Sequence, residues 1–302
     1  MAFERAVIYG AGAVGSYLGA RLASVLPTVL IARREHVEAI RGRGLFVRGD
    51  ADLFVPPGRI HAATGLPALG PGALVLVTVK LDALEDAGAE LARQSRPDTV
   101  FLLAQNGLNG RELFLKGAAR PLATARAIAS CGVDFREAGK VEYWGGGLSL
   151  EKSEHSAELV GLFRRAGIET VESPDFGRAL WKKLAVNCVA NPLTALLGVR
   201  NSEVVTPVLA GLRHGIVAEV SALAAAEGQP LPPDMAERVD QALAASRNRS
   251  SMLQDVQRGR PTEIEHLNGF VASRSTERGM DAPVNAALSA LIRARSETAV
   301  RT

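Results

Sequence analysis

The sequence predicts an α/β chain in two parts, a doubly wound parallel sheet followed by an all-helical domain. Three observations carry this expectation. Short, continuously apolar runs alternate with helical patterns through the first half. The first of these runs ends in a glycine-rich turn that opens a helix. After Glu172-Ser-Pro-Asp175, strand signal nearly vanishes and helical periodicity takes over.

Taken in order, Ala6–Tyr9 reads as a strand, Val14–Ser24 as a helix, and Thr28–Ala32 as a second strand. Ala73–Val79 and Thr99–Ala104 are further strands. All are unbroken apolar runs, the pattern of strands buried on both faces of a parallel sheet. Alternation of strand and helix then implies right-handed crossovers. Later strands are expected at Ala125–Val133, Val141–Leu150 and Ile168–Val171. Gly145-Gly-Gly147 reads as a bend or sheet edge and not as a phosphate loop, because no helix follows it. The domain boundary falls near Pro174, giving domains 1–174 and 175–302, with Gly228–Pro233 as an interhelical loop of the second.

Bulk composition narrows the function classes. The chain has 302 residues, 47% hydrophobic and 22% charged, enough for two domains with real cores. Net charge is only +3, with basic residues scattered among acidic ones, which argues against nucleic acid as partner. The longest apolar runs, such as Ala73–Val79, are too short to span a bilayer, so no membrane partner is expected. The start, MAFERAVIYG, does not resemble a signal peptide. Cys131 and Cys188 make no disulfide framework, so a reducing, cytoplasmic setting is expected. His36, His61, His155, His214 and His266 show no metal-ligand spacing, and no metal is expected.

Gly10-Ala-Gly-Ala-Val-Gly15 follows an apolar strand and opens a helix, in the order a dinucleotide-binding fingerprint requires. Gly10 permits the turn, Gly12 lets backbone approach a pyrophosphate, and Gly15 lets helix pack on strand. The helix N-terminus, from Ala11 through Ala13 and Val14, supplies amides and a positive dipole end for phosphates. The first domain is therefore expected to be Rossmann-type. Where an acid would accept ribose hydroxyls, this chain has Ala32-Arg33-Arg34. A guanidinium there pairs with a 2′-phosphate, which favours NADP; the plainer alternative is a solvated basic pair. Lys80 and Asn106 follow other strand ends, where ligands of open α/β sheets bind.

In the second domain, WKKLAVNCVANP (181–192) reads as helix and carries Lys183, Asn187 and Asn191 every fourth residue. Four residues advance a helix about 6 Å and turn it about 40°, so the three side chains form one slanting stripe. Solvated faces favour Glu, Lys, Arg and Gln over Asn. On the residues alone, a wet face and a binding stripe both stand.

Together these segments resemble the ketopantoate reductase family, NADPH-dependent enzymes of pantothenate synthesis. The carriers are GAGAVG at Gly10–Gly15, VTVK ending at Lys80, QNG at Gln105–Gly107, LWKKLAVNCVANPLTA at Leu180–Ala195, and SSMLQDV with PTEIEHLNG between Ser250 and Gly269. The resemblance implies that Lys183 is the proton donor and Glu263 an acidic partner in the active site. It implies that Asn187, Asn191, Asn201 and Ser251 bind substrate, that Asn106 touches cofactor and substrate, and that Arg33 (or Arg34) and Lys80 hold the cofactor. The stripe would then be the substrate wall of an interdomain cleft. Hydride would pass from nicotinamide to C2 of a small 2-keto acid, and a protonated lysine would stabilise and protonate the alkoxide. Pro261-Thr-Glu263 also reads as a helix start, where an early Glu favours the dipole. Two alternatives remain: a reductase of the same fold for another 2-keto acid, and a non-catalytic NADP-binding regulator, which would have no use for a proton donor. A helical second domain has room for an apolar face that pairs two copies as a homodimer.

Overall fold

The structure is a computed structural model and describes residues 3–299. The chain divides into one unit ending at Phe176 and a second beginning at Gly177.

The first unit runs β1 (Arg5–Tyr9), α1 (Ala13–Leu22), β2 (Thr28–Ile31), α2 (Arg34–Arg43), β3 (Leu45–Gly49), β4 (Leu53–Val55), β5 (His61–Ala63), β6 (Ala73–Val77) and α3 (Leu84–Gln94). It continues with β7 (Val100–Leu103), α4 (Gly110–Ala118), β8 (Thr124–Ala129), β9 (Val133–Glu137), β10 (Lys140–Tyr143), β11 (Leu148–Leu150), α5 (Ser156–Arg165) and β12 (Thr170–Glu172). The main sheet has the order β12-β11-β8-β7-β6-β1-β2-β5. Every pairing in it is parallel except β11 with β8.

Alternate residues of the central strands enter two separate cores, which is why these runs are apolar without a break. Ile8, Leu30, Leu74, Leu76 and Leu102 pack with Leu18 and Leu22 of α1 and with Leu159 and Phe163 of α5. Val7, Ile31, Val75, Val77, Phe101 and Leu103 pack on the other face with Leu84 and Leu91 of α3 and Phe114 of α4. Helices cover both faces, the doubly wound Rossmann-type arrangement.

Three features depart from the sequence expectation. Ala125–Val133 is two strands, β8 and β9, and Val141–Leu150 is likewise β10 and β11. In both, the chain changes sheets: β9 and β10 belong to a second sheet, ordered β4-β3-β10-β9. Gly145 and Gly146, at φ 85° and 92°, make the bend by which the chain leaves β10 for β11. This second sheet, together with β5, gives little sequence signal because its strands are short and interrupted by Arg48, Gly49, Asp50 and Gly58. Its apolar side, Leu45, Val47, Val55 and Val141, joins the core around α1. There Tyr143 stacks on Tyr17 with ring centroids 4.2 Å apart.

The second unit, among its described residues, contains helices and no strand: α6 (Phe176–Leu197), α7 (Ala210–Ala226), α8 (Met235–Ala244), α9 (Ser251–Gln257), α10 (Asn268–Glu277) and α11 (Pro283–Ala299). The loop between α7 and α8 contains Gly228–Pro233. Glu219 of α7 accepts hydrogen bonds from the backbone amides of Val284 (2.8 Å) and Asn285 (2.9 Å), satisfying the open N-terminus of α11. Arg213 of α7, buried, forms a two-pronged pair with Asp240 of α8 at 2.6 and 2.7 Å. The expectation that no apolar stretch is long enough to cross a membrane needs correction. Pro207–Ala226 passes that test by length and composition. Its buried residues, Arg213, Ile216, Val217, Val220, Leu223 and Ala224, nonetheless follow the helical period and form one packed face.

Candidate nucleotide and substrate sites

Strands β7, β6, β1 and β2 are parallel neighbours, so their carboxyl ends lie along one sheet edge about 5 Å apart. The segments after them carry Asn106, Lys80, the Gly10–Gly15 loop and Arg33. Four stretches far apart in sequence are thus brought to one edge, the edge where such sheets bind ligands.

The three glycines of the loop answer to different constraints. Gly10 has φ +95°, and a Cβ there would lie 2.8 Å from the Val79 backbone nitrogen. A Cβ on Gly15 would lie 2.6 Å from Thr78 Oγ1 and 3.0 Å from Ile8 Cγ2, so strand and helix could not close. Gly12 differs: a Cβ there would meet only Gly10 O, at 3.9 Å. The fold itself makes no demand for glycine at 12. The position is open, which leaves room for a group such as a dinucleotide pyrophosphate to approach the loop backbone. Gly12 is also the N-cap of α1, with no side-chain cap and no acid in the first turn, which leaves the helix's positive end to an anion. Arg33 and Arg34, both exposed, are the N-cap and first residue of α2.

Several residues that sequence reasoning passed over hold this edge in place. Gln105 Nε2 donates to the carbonyls of Val77 (2.6 Å) and Val79 (3.2 Å), tying the end of β7 to the end of β6 beside Lys80. Thr78 Oγ1 donates to Gly10 O at 2.9 Å. His36, read from sequence as surface or structural, is buried. Its Nδ1 accepts from the Gly139 amide at 2.9 Å, so the neutral ring carries its proton on Nε2, 2.9 Å from Ser16 Oγ in α1. Burial holds the His36 pKa down at about 4. The ring therefore links α2, which starts at the two arginines, to the first turns of α1.

In the second unit, α6 is buried around most of its circumference. Lys183 is half-buried, and Asn187 and Asn191 are 7% and 4% exposed. A wet face is excluded at the two asparagines. Cys188 between them is wholly buried, and burial pushes its thiol pKa far up, so it is an inert packing residue. The remaining expected residues come from three other segments. Asn201, buried, opens a 3-10 turn after α6 and donates through Nδ2 to Ser246 Oγ at 3.1 Å, while its Oδ1 has no hydrogen-bond partner. Ser251, exposed, is the first residue of α9. The preceding Ser250 caps that helix through the Leu253 amide (3.0 Å) and meets Thr194 Oγ1 of α6 at 2.6 Å. Glu263, buried, does not sit in the first turn of an α-helix as Pro261-Thr-Glu263 led one to expect. It precedes a 3-10 turn, Ile264–His266, and α10 begins only at Asn268. The argument that places Glu263 in the first turn of an α-helix therefore fails.

A dinucleotide-binding sheet followed by a helical unit of this kind defines a class, the NAD(P)-dependent oxidoreductases with a Rossmann-type first domain. The sequence profile of ketopantoate reductase PanE/ApbA matches residues 6–151, and that of its C-terminal domain matches 175–296. The chain belongs to the ketopantoate reductase family. It is 33% identical to a 2-dehydropantoate 2-reductase of Pyrococcus horikoshii, over 95% of this chain and 96% of that one. The corresponding enzyme of Archaeoglobus fulgidus is 31% identical, over 97% and 98%. Among solved structures, a PanE/ApbA family ketopantoate reductase from Ralstonia eutropha superposes with a TM-score of 0.88 at 31% identity, covering 98% of this chain and 99% of that one. A D-mandelate dehydrogenase bound to NADH shares the fold, with a TM-score of 0.87 at 23% identity and coverage of 98% and 99%.

Proposed function

We propose that this protein reduces 2-dehydropantoate (ketopantoate) to (R)-pantoate with NADPH, in the cytoplasm. The observation that carries the substrate half is the stripe on α6, a half-buried lysine above two buried asparagines in a mostly apolar helix. A bound NADPH supplies the hydride for C2 of the keto acid. Lys183, as an ammonium, polarises the carbonyl and delivers a proton to its oxygen as negative charge develops there. Glu263 keeps that lysine charged and aimed. Asn187 and Asn191 offer paired donors and acceptors to the substrate hydroxyl and carbonyl, and Asn201 and Ser251 complete its polar contacts. The unpartnered Asn201 Oδ1 is suited to a substrate hydroxyl.

On the cofactor side, the amides of Ala11, Ala13 and Val14 take the pyrophosphate with Gly10, Gly12 and Gly15, and Lys80 and Asn106 complete the set. Arg33, with Arg34 beside it, takes the 2′-phosphate, which is the reason for choosing NADPH over NADH.

The fold also serves other acids, as the D-mandelate dehydrogenase neighbour shows for itself. The test is therefore a panel: ketopantoate, pyruvate and 2-ketoisovalerate, each with NADPH and with NADH. The proposal expects the highest kcat/KM for ketopantoate with NADPH. A higher value for another 2-keto acid moves the substrate, and cofactor binding without turnover of any acid makes the chain a nucleotide-binding regulator.

A further inference from the structure

Helix α6 contains a proline, Pro192, one residue beyond the stripe. Proline has no N–H, so the carbonyl four residues back, that of Cys188, loses its helical donor, and the ring crowds that carbonyl. Cys188 lies between Asn187 and Asn191 and is wholly buried, where an unpaired carbonyl is costly. The missing donor comes from another helix: Asn268 Nδ2, at the start of α10, donates to Cys188 O at 3.0 Å.

That amide is fully buried, and its neighbours fix which way it points. Nδ2 also donates to Asn285 Oδ1 of α11 at 2.9 Å, while Asn285 Nδ2 donates to Glu219 of α7 at 2.7 Å. Both partners of the Asn268 atom are acceptors, so it is the nitrogen. Its own Oδ1 is buried and has no hydrogen-bond partner. An asparagine held at such a cost gains through donation alone. The same short segment, five residues upstream, holds Glu263.

We propose that Asn268 is a positioning residue for the reaction: it substitutes for the amide that Pro192 lacks, and so fixes both the pitch of the stripe and the place of the Glu263 segment against α6. This rests on the functional reading of Lys183, Asn187, Asn191 and Glu263 given above. Asn268, fully buried, acts through the backbone of α6.

The test uses the full-length protein with Asn268→Leu, which keeps the shape and removes the donor, with Pro192→Ala, which restores a backbone N–H, and with the double variant. NADPH affinity by fluorescence, kcat and KM per NADPH-binding site, and thermal midpoints are read on all four proteins. Asn268→Leu should leave NADPH affinity within about twofold while kcat/KM for the keto acid falls about ten- to hundredfold, the usual scale for the Cys188 carbonyl left unpaired; the loss at Asn285 Oδ1 is read in the thermal midpoint. Pro192→Ala alone should stay within about threefold of wild type, since a carbonyl accepts two hydrogen bonds. Adding it to Asn268→Leu should recover about tenfold in kcat/KM, the positive coupling expected of groups that serve one acceptor. An additive or worse double variant, or an unaffected Asn268→Leu in an active protein, overturns the proposal. If Asn268→Leu does not fold, soluble double variant supports it, and an insoluble one beside soluble Pro192→Ala overturns it. Should wild type reduce no keto acid, the functional reading fails by itself, and the coupling of the thermal midpoints still decides whether Asn268 replaces the missing amide.

Discussion

The glycine loop of the first unit and the polar stripe of the second solve opposite problems. At Gly12 a side chain is withheld: the position is open to the size of a Cβ, and the surroundings are backbone and a helix end. On α6 side chains are inserted where apolar ones would pack, and two of them are asparagines nearly closed off from solvent. On the proposed function the loop recognises charge, which backbone amides and a helix dipole do without specific side chains. On the same proposal the stripe presents individual donors and acceptors and a proton, which backbone cannot supply. Each device is steadied from behind by a buried polar group, His36 under the loop and Asn268 under the stripe. The difference teaches where substitutions should act: loop changes on nucleotide affinity, stripe changes on the keto acid and its chemistry.

The largest effect expected is at Lys183. Replacement by alanine should lower kcat about 10²–10⁴-fold, the range for loss of a general acid, with NADPH affinity kept. Lys182 is turned about 100° from the stripe, and Lys182→Ala should be nearly silent in the same assay. A dead Lys182→Ala and a live Lys183→Ala would break the assignment of the stripe.

Gly12→Ala sharpens the loop side. No protein atom stands in the way of the new methyl, so thermal stability should stay near wild type while the Kd for NADPH rises by roughly a hundredfold, equivalent to about 2.7 kcal/mol. Gly10→Ala is the contrast. With φ at +95° and the Val79 backbone in contact, it should lower the thermal midpoint as well. Equal stability losses in both variants would mean that Gly12 answers to the fold and not to a ligand.

His36 supplies a pH test of the support beneath the loop. Its pKa is about 4 when folded, against an ordinary histidine value near 6.5 when unfolded, so the unfolded chain binds the extra proton between those values. Stability from this group is present above about pH 6.5 and is lost as pH falls toward 4, an effect on the order of 2 kcal/mol. Urea midpoints of His36→Gln across that window should show a flatter pH dependence than wild type; parallel curves would mean that the imidazole is not the titrating group. A smaller effect is expected at Arg33: Arg33→Asp should weaken NADPH about tenfold and leave NADH unchanged or improved, read as the ratio of kcat/KM for the two cofactors.

Much of this was legible in the sequence, and the reasons differ by region. The central strands β1, β2, β6 and β7 announced themselves because burial on both faces keeps their middles apolar, leaving polar residues only at their ends. The glycine loop is a backbone requirement written in single letters. The small sheet was legible only in part: the expected strand Val141–Leu150 covers most of β10, while β3 and β4 are too short, and too close to Arg48, Gly49 and Asp50, to stand out. The stripe was visible as a periodicity, but only the packing of α6 shows that its asparagines are buried. What holds the sites was not legible at all. That Asn268 answers Pro192 across 76 positions, or that His36 meets Gly139 across 103, depends on partners that no local pattern links.

The most direct test of the division of labour is the NADPH affinity of Asn187→Ala, measured by fluorescence titration and set beside its KM for the keto acid. A raised KM, by the equivalent of about 1–3 kcal/mol for substrate groups left unpaired, with NADPH affinity within about twofold of wild type, is what this account predicts. A collapse of NADPH affinity with the KM unchanged would contradict it, because the stripe would then serve the nucleotide.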